Sequence, residues 1–274
     1  IATVTDPGGD AIEYAWDFGD SSPVQAGPNL STVSHAFSAA GVYLVTLVAT
    51  DAQGAFSQET VSIDVNAVPV ISALNVDRSS SVEGDVVSFE VVASDADGHV
   101  LAYQWDFGDG SLPLFSASPS HAFADDGDFT VSVTVTDQLG AVTSQSMVFP
   151  VLNGPPQILA LVGQSSGPMG QALTFRGSVI DPAGGADTLT WSWDWGDGGT
   201  ASDGVDLHTA THSWSGAGSY SLVLTVADED GGSTSQTLPL LISNPGPSIG
   251  PVTGPVALDE GSIEAFQVSA ADAA

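Results

Sequence analysis

The 274-residue chain has no cysteine, no lysine and only two basic residues, Arg78 and Arg176, against 33 acidic ones. Without Cys no disulfide can staple a fold. That absence fits secreted and cytosolic chains equally, so it leaves the compartment open. Without Lys there is no phosphate-pairing lysine, so the Asp-Phe-Gly at 17–19 and 106–108 is not part of a kinase site. No apolar run approaches the ~20 residues that a bilayer span requires. No segment carries a convincing helical period. A formal net charge of −31 repels phosphate backbones and anionic lipid, which argues against nucleic acid and against direct membrane insertion. The same charge suits either a solvated acidic surface in saline or calcium-rich surroundings, or cation binding.

What is present is a repeat. Trp16-Asp17-Phe18-Gly19-Asp20 returns as Trp105-Asp106-Phe107-Gly108-Asp109 and as Trp193-Asp194-Trp195-Gly196-Asp197, at steps of 89 and 88 residues. A fixed period of that size means tandem copies of one small domain. Further columns keep register: His35-Ala36-Phe37, His121-Ala122-Phe123 and His212-Ser213-Trp214; then Gly41, Gly127 and Gly218, each two residues before an aromatic; then Asp51, Asp137 and Asp228, each three residues before Gly. Phe129, Val131, Val133 and Val135 alternate with Thr130, Ser132, Thr134 and Thr136, a period of two that predicts a strand with one buried face. In the second copy strands are expected near 69–74, 86–93, 100–107, 112–115, 119–123, 128–136 and 141–151. Short strands broken by Gly, Pro, Asp and Ser predict an all-β chain of tandem immunoglobulin-like antiparallel β-sandwiches, about seven strands each. The Gly-x-Tyr/Phe before the sixth strand has the form of a tyrosine corner.

Trp-Asp-Phe-Gly-Asp-Gly, followed by His-x-Phe, Gly-x-Tyr and Val-Thr-Asp-x-x-Gly, resembles the pattern of the PKD (polycystic kidney disease) domain over nearly the whole chain. The expected domains are a module truncated at its N-terminal side (1–66), two complete modules (67–153 and 154–243) and the opening strands of a fourth (244–274). Ile1 aligns with Glu90 and Ala274 with Asp97, so the chain reads as a window on a longer array, in which neither signal peptide nor anchor can be judged.

Three apparent catalytic motifs lose to blander readings. Gly163-Gln164-Ser165-Ser166-Gly167 spells a nucleophile elbow, but that device needs a helix after the serine, and here a loop with Pro168 follows. His208 and His212 are four apart, as on a zinc helix, yet His212 belongs to the repeat column and the segment reads as strand and loop. Asp20, Asp109 and Asp197 sit in Gly-flanked turns, where Asp bonds its own backbone. Asp17, Asp106 and Asp194 lie between inward aromatics. The His column is expected to pair with one of these two sets of acids as a stabilising contact. No paired, buried titratable constellation is visible, so the chain is not expected to be an enzyme.

One acidic set is different. Asn66, Asp95, Asp97 and Asp137 fall in loops that share one pole of such a sandwich, at the junction with the preceding copy. Crowded hard oxygens without a basic partner suit Ca²⁺ in a structural role. The corresponding positions are Asn153, Asp181 and Asp228 in the third copy and Asp6 and Asp51 in the first. Gly8 and Ala183 stand where Asp97 does, with Asp10 and Asp187 nearby, and Asp228 opens the run Asp228-Glu229-Asp230-Gly231. The resemblance implies calcium as well, because some bacterial members of the family bind it with residues of this kind. The plain alternative is a set of polar turns that bind nothing.

All six Trp and all four Tyr fall in packed columns, which leaves Phe56 and Phe115 as free aromatics and weakens a carbohydrate-binding reading. The resemblance implies an extracellular, non-catalytic array, acting as spacer or adhesive stalk in a large bacterial surface or secreted protein. The alternative it allows is an accessory substrate- or polysaccharide-binding array of a secreted hydrolase, a protease or a chitinase. The partners expected are neighbouring repeats of the same chain, with protein or polysaccharide ligands.

Overall fold

The alternating face of Phe129–Val135 is inward-facing as its period demands: Val131, Val133 and Val135 are buried, while Thr130 is exposed and Ser132, Thr134 and Thr136 stand half out in water. The same pattern recurs at Val45, Leu47 and Ala49 and at Leu222, Leu224 and Val226. The computed structural model describes residues 3–249, 259–261, 263 and 270–271. By its contacts the chain divides into two compact units. One comprises Ile1–Asp77, Ser88–His121 and Thr130–Val148; the other comprises Arg78–Val87, Ala122–Phe129 and Phe149–Ala274.

The first module holds β1 (Glu13–Asp17), β2 (Gln25–Gly27), β3 (Gly41–Thr50) and β4 (Phe56–Val65), in one sheet ordered β2-β1-β3-β4. The second holds β5 (Val70–Val76), β6 (Ser81–Val82), β7 (Val86–Ser94), β8 (Ala102–Asp106), β9 (Ser120–Ala122), β10 (Gly127–Thr136) and β11 (Val142–Leu152). Its sheets run β5-β7-β9 and β6-β11-β10-β8. The third holds β12 (Gln157–Gly163), β13 (Ser166–Pro168), β14 (Leu173–Ile180), β15 (Thr190–Asp194), β16 (Ser202–Val205), β17 (Thr209–His212), β18 (Gly218–Ala227) and β19 (Ser233–Ser243), in sheets β12-β14-β17 and β13-β19-β18-β15-β16. These are tandem immunoglobulin-like sandwiches, antiparallel except where β6 and β13 pair parallel to β11 and β19. In the stretch where a fourth module is expected to open, β20 (Ser248–Ile249) pairs with β21 (Ala270–Ala271). The rest of its expected opening strands lies outside the described residues.

One expectation is corrected, and one strand is added. The strand expected at 112–115 is a single bridge, Trp105 to Leu114, in a stretch interrupted by Pro113, which cannot donate to a ladder. The short edge strand β6 was not expected, because two residues are too few to show a period.

The repeated motif is a packing device. Trp105 and Trp193 are both 0% exposed. Phe89 on β7 meets Trp105 from the facing sheet at 5.9 Å between ring centroids, and Phe175 on β14 meets Trp195 at 6.0 Å. The indoles that lead the motif, Trp16, Trp105 and Trp193, donate from Nε1 to the backbone carbonyls of Leu30, Ser116 and Leu207, which satisfies their one polar atom. Trp16 is only half-buried, for no second sheet faces β1 and β3 among the described residues. The motif glycines Gly19, Gly108 and Gly196 have φ of 73°, 77° and 73°. A side chain there would begin 2.7, 2.7 and 2.5 Å from the carbonyl oxygens of Leu44, Thr130 and Ser221, so only glycine fits. Tyr43 and Tyr220 donate to the carbonyls of Ala39 and Gly216 at 2.9 Å, forming tyrosine corners that the second module, with Phe129, lacks.

Candidate cation-binding loops

The apparent catalytic motifs are built into the fold. Ser165 lies at a bend and leads into strand β13 rather than a helix. His212 pairs with Asp197 at 2.8 Å and stacks on Trp195, while His208 packs edge-on against Trp191. His35 and His121 repeat this arrangement on Asp20 and Asp109, each at 2.6 Å, with Phe18 and Phe107 stacked beneath. Asp17, Asp106 and Asp194 accept from the amides of their motif glycines at 2.9 Å. Phe56 and Phe115 are 68% and 73% exposed, as isolated residues.

The second module's set converges at one pole. Asn66 donates from Nδ2 to Asp137 Oδ2 at 2.6 Å, and the amide of Ala67 donates to Asp97 Oδ2 at 2.6 Å. Asp137 Oδ1 accepts from Leu139 and Ala141, closing its own turn. The Asn66 bond, then the turn amides, hold the Asp137 carboxyl below the usual range. Asp95 Oδ1 accepts from Asp97 and His99, while Asp95 Oδ2 and Asn66 Oδ1 are buried without a partner. His99 completes the group. Its Nδ1 lies 3.5 Å from Asp95 Oδ1 and 4.0 Å from Asp137 Oδ2, and ligand atoms of Asp95, Asp97 and His99 lie within 4.8 Å of one another. Sequence reasoning missed His99, although Asp95-x-Asp97-x-His99 has the two-residue spacing that could have flagged it.

The other modules differ. Asp6 and Asp51 line one shallow cleft. Each is engaged by its own loop: Asp6 accepts from Gly8 and Asp10, and Asp51 from Gln53 and Ala55. In the third module Asp181 accepts from Ala183 and Asp228 accepts from Asp230 and Gly232 through one oxygen each. The second oxygens of Asp181 and Asp228 and Asn153 Oδ1 are buried and unpartnered. The fold gathers acids that the column reading did not assign: Glu83 and Asp187 with Asp181, Glu83 with Asp125 and Asp126, and Asp125 with Asp187 and Asp230. The expectation that no buried titratable constellation exists is thereby corrected. Glu83 and Asp187 are buried, and they meet only in the folded chain, since some 100 residues separate them.

No helix among the described residues is long and apolar enough to cross a membrane. The sequence profile of the PKD domain matches residues 1–65, 66–151 and 153–241. Polycystin-1-like protein 1 of Mus musculus is 28% identical over 192 residues, 66% of this chain and 7% of that protein. Pre-pro-metalloprotease PrtV of Vibrio cholerae serotype O1 is 31% identical over 149 residues, 52% of this chain and 15% of that protein. The chain therefore spans only a small fraction of these relatives' length. The crystal structure of the PKD1 domain of Vibrio anguillarum Epp is 31% identical, with a TM-score of 0.27, and covers 31% of this chain and 95% of that one. With three successive modules matched, this chain belongs to the PKD domain family.

Proposed function

We propose that the chain is a non-catalytic, extracellular spacer or adhesive stalk, built of PKD modules whose joints are seated rather than loosely linked. The observation that carries this reading is the joint at Gly154, between β11 and β12. Glu83 Oε1, from the turn after β6, accepts from the Gly154 amide at 2.8 Å in a buried bond. A side chain at Gly154 would begin 2.7 Å from Val82 Cγ1 and 2.8 Å from Pro182 Cγ, and one at Gly84 would begin 2.5 Å from the Pro182 carbonyl oxygen. The second module's edge and the third module's loop are thus in backbone-to-backbone contact, as suits a chain that transmits tension. Calcium at Asn66, Asp95, Asp97 and Asp137 would stiffen the earlier joint by neutralising crowded carboxylates.

Single-molecule pulling on the whole chain tests this. Separate module unfolding events are expected, each releasing about 30 nm of chain for a module of this length. One cooperative rip, or extension without resistance, would sink the spacer reading. The likeness to a pre-pro-metalloprotease favours the second reading, an accessory array that holds a hydrolase on its substrate. Saturable binding of the isolated chain to collagen or to chitin would replace the first reading with the second.

A further inference from the structure

We propose that the open sheet of the first module is a docking surface for residues 244–274 of a second copy, which joins chains head to tail. The sheet β2-β1-β3-β4 presents an apolar groove of about 340 Å³ lined by Trp16, Phe18, Phe37, Val45, Val61 and Ile63. All of these belong to one compact unit. Like positions in the other modules are closed. Tyr43 pairs with Ile63 as Tyr220 pairs with Leu240, yet Ile63 is 36% exposed and Leu240 3%. Val61 is 54% exposed, and Trp16 is half-buried where Trp105 and Trp193 are fully buried. Adjoining apolar side chains left to water mark an interaction site. The outer edge of β4 is open too. Nine of its ten residues are exposed, and among the described residues it is the last strand of its sheet. In the other modules β6 and β13 pair with the ends of β11 and β19. An uncovered edge accepts a further strand.

The stagger of the columns identifies the occupant. In the second and third modules the strand that closes the groove is β7 or β14, which sets Phe89 or Phe175 against the motif aromatics. In this sequence no such phenylalanine stands before Trp16, whereas Phe266 stands after the third motif with no further Trp-Asp-x-Gly-Asp behind it. Around Phe266 the columns hold: Glu260-Gly261 matches Glu83-Gly84, Val268 matches Val91, and residues 258–259 match β6. The pairing agrees. Ser248 with Ala271 and Ile249 with Ala270 repeat Val70 with Ser94 and Ile71 with Ala93, starting in each case one residue after a proline, Pro247 or Pro69. The tail of one copy thus carries the closing strand for which the head of another has room. Thr3, Val4 and Thr5, in the column of Val92–Ser94, lie against Leu47 and Ala49 but form no strand, so an incoming strand can displace them. Glu264 is a misfit, standing in the column of the buried Val87 and Leu173. Because donor and acceptor surfaces differ, the contact is heterologous and propagates from chain to chain.

The proposal does not depend on the spacer reading. The experiment is sedimentation of the full chain over a range of concentrations. Wild type is expected to assemble into multiples of the chain mass as concentration rises. Phe266→Asp in the donor or Ile63→Asp in the acceptor should each raise the concentration for half-assembly at least about tenfold, the share of one buried apolar side chain. Mixed in equal amounts, the two variants should form heterodimers and nothing larger, because each keeps one working surface. Glu264→Val should tighten assembly, since it removes a carboxylate from a buried column. If Ile63→Asp unfolds the first module, an excess of synthetic peptide 244–274 should still break wild-type assemblies into monomers. A monomer at every concentration, a mixture of folded variants without heterodimers, or assembly indifferent to Phe266→Asp would overturn the proposal. A monomer whose Trp16 fluorescence responds to Phe266→Asp would overturn it in favour of a tail folded onto its own chain.

Discussion

His121 Nε2 lies 2.6 Å from Asp109 Oδ2 while the imidazole stacks on Phe107 at 4.0 Å between centroids, and the same triad recurs in all three modules. The aromatic fixes the ring plane and the carboxylate fixes the edge, so the pair ties the motif turn to the strand that carries the histidine. Asp109→Asn is expected to cost about 1–2 kcal/mol, the worth of a hydrogen bond to a charged group discounted for partial exposure. Urea denaturation of the variant checks this, and a change below 0.3 kcal/mol, on the order of experimental error, would make the pair ornamental.

The same pairs set an acid limb. Hydrogen bonding from Ser22 and then from His35 lowers the Asp20 carboxyl from 3.8 to about 2. A depressed carboxyl contributes stability above its unfolded pKa and loses it as pH falls through the folded value. Stability of the first module should therefore decline as pH drops from about 4 toward 2. Asp20→Asn should flatten that decline; equal slopes in wild type and variant would refute the assignment.

Core truncation should separate the modules. Trp105→Ala removes a fully buried indole and should cost about 3–5 kcal/mol. Trp16→Ala should cost less, because Trp16 is only half-buried. The check is the loss of far-UV signal on melting each variant.

The corner tyrosine offers a cleaner subtraction. Tyr220→Phe deletes one hydroxyl bonded to the Gly216 carbonyl and should cost about 1 kcal/mol. Phe129 already lacks the bond, so the second module supplies an internal reference without it.

Calcium at the Asn66 pole would add about 2.7 kcal/mol at one hundred times its dissociation constant. Asp95→Asn/Asp137→Asn should remove that increment, read as the difference between melts in calcium and in chelator. His99→Ala should change calcium affinity as well, if the imidazole competes with the ion for Asp95 and Asp137.

The fold was legible because it is written in periods. The alternation at Val131, Val133 and Val135 and the 88–89-residue recurrence of the tryptophan motif depend on local chain geometry, which sequence records directly. The pairing of Asn66 with Asp137 was also within reach, since both positions recur in every full module and belong to loops whose pole the sandwich topology dictates. His99 escaped because the columns around Asp97 are irregular. Glu83, Asp125 and Asp126 could not be read at all. Comparing columns reveals what each module keeps for its own core, and says nothing of what one module presents to the next. That depends on where three loops distant in sequence come to rest around Asp187, and on which of their oxygens burial deprives of water. Local periodicity decided the strands and the aromatic core; only tertiary packing, by bringing distant loops together away from water, decided that the carboxylates of Glu83 and Asp187 would be buried beside Asp181.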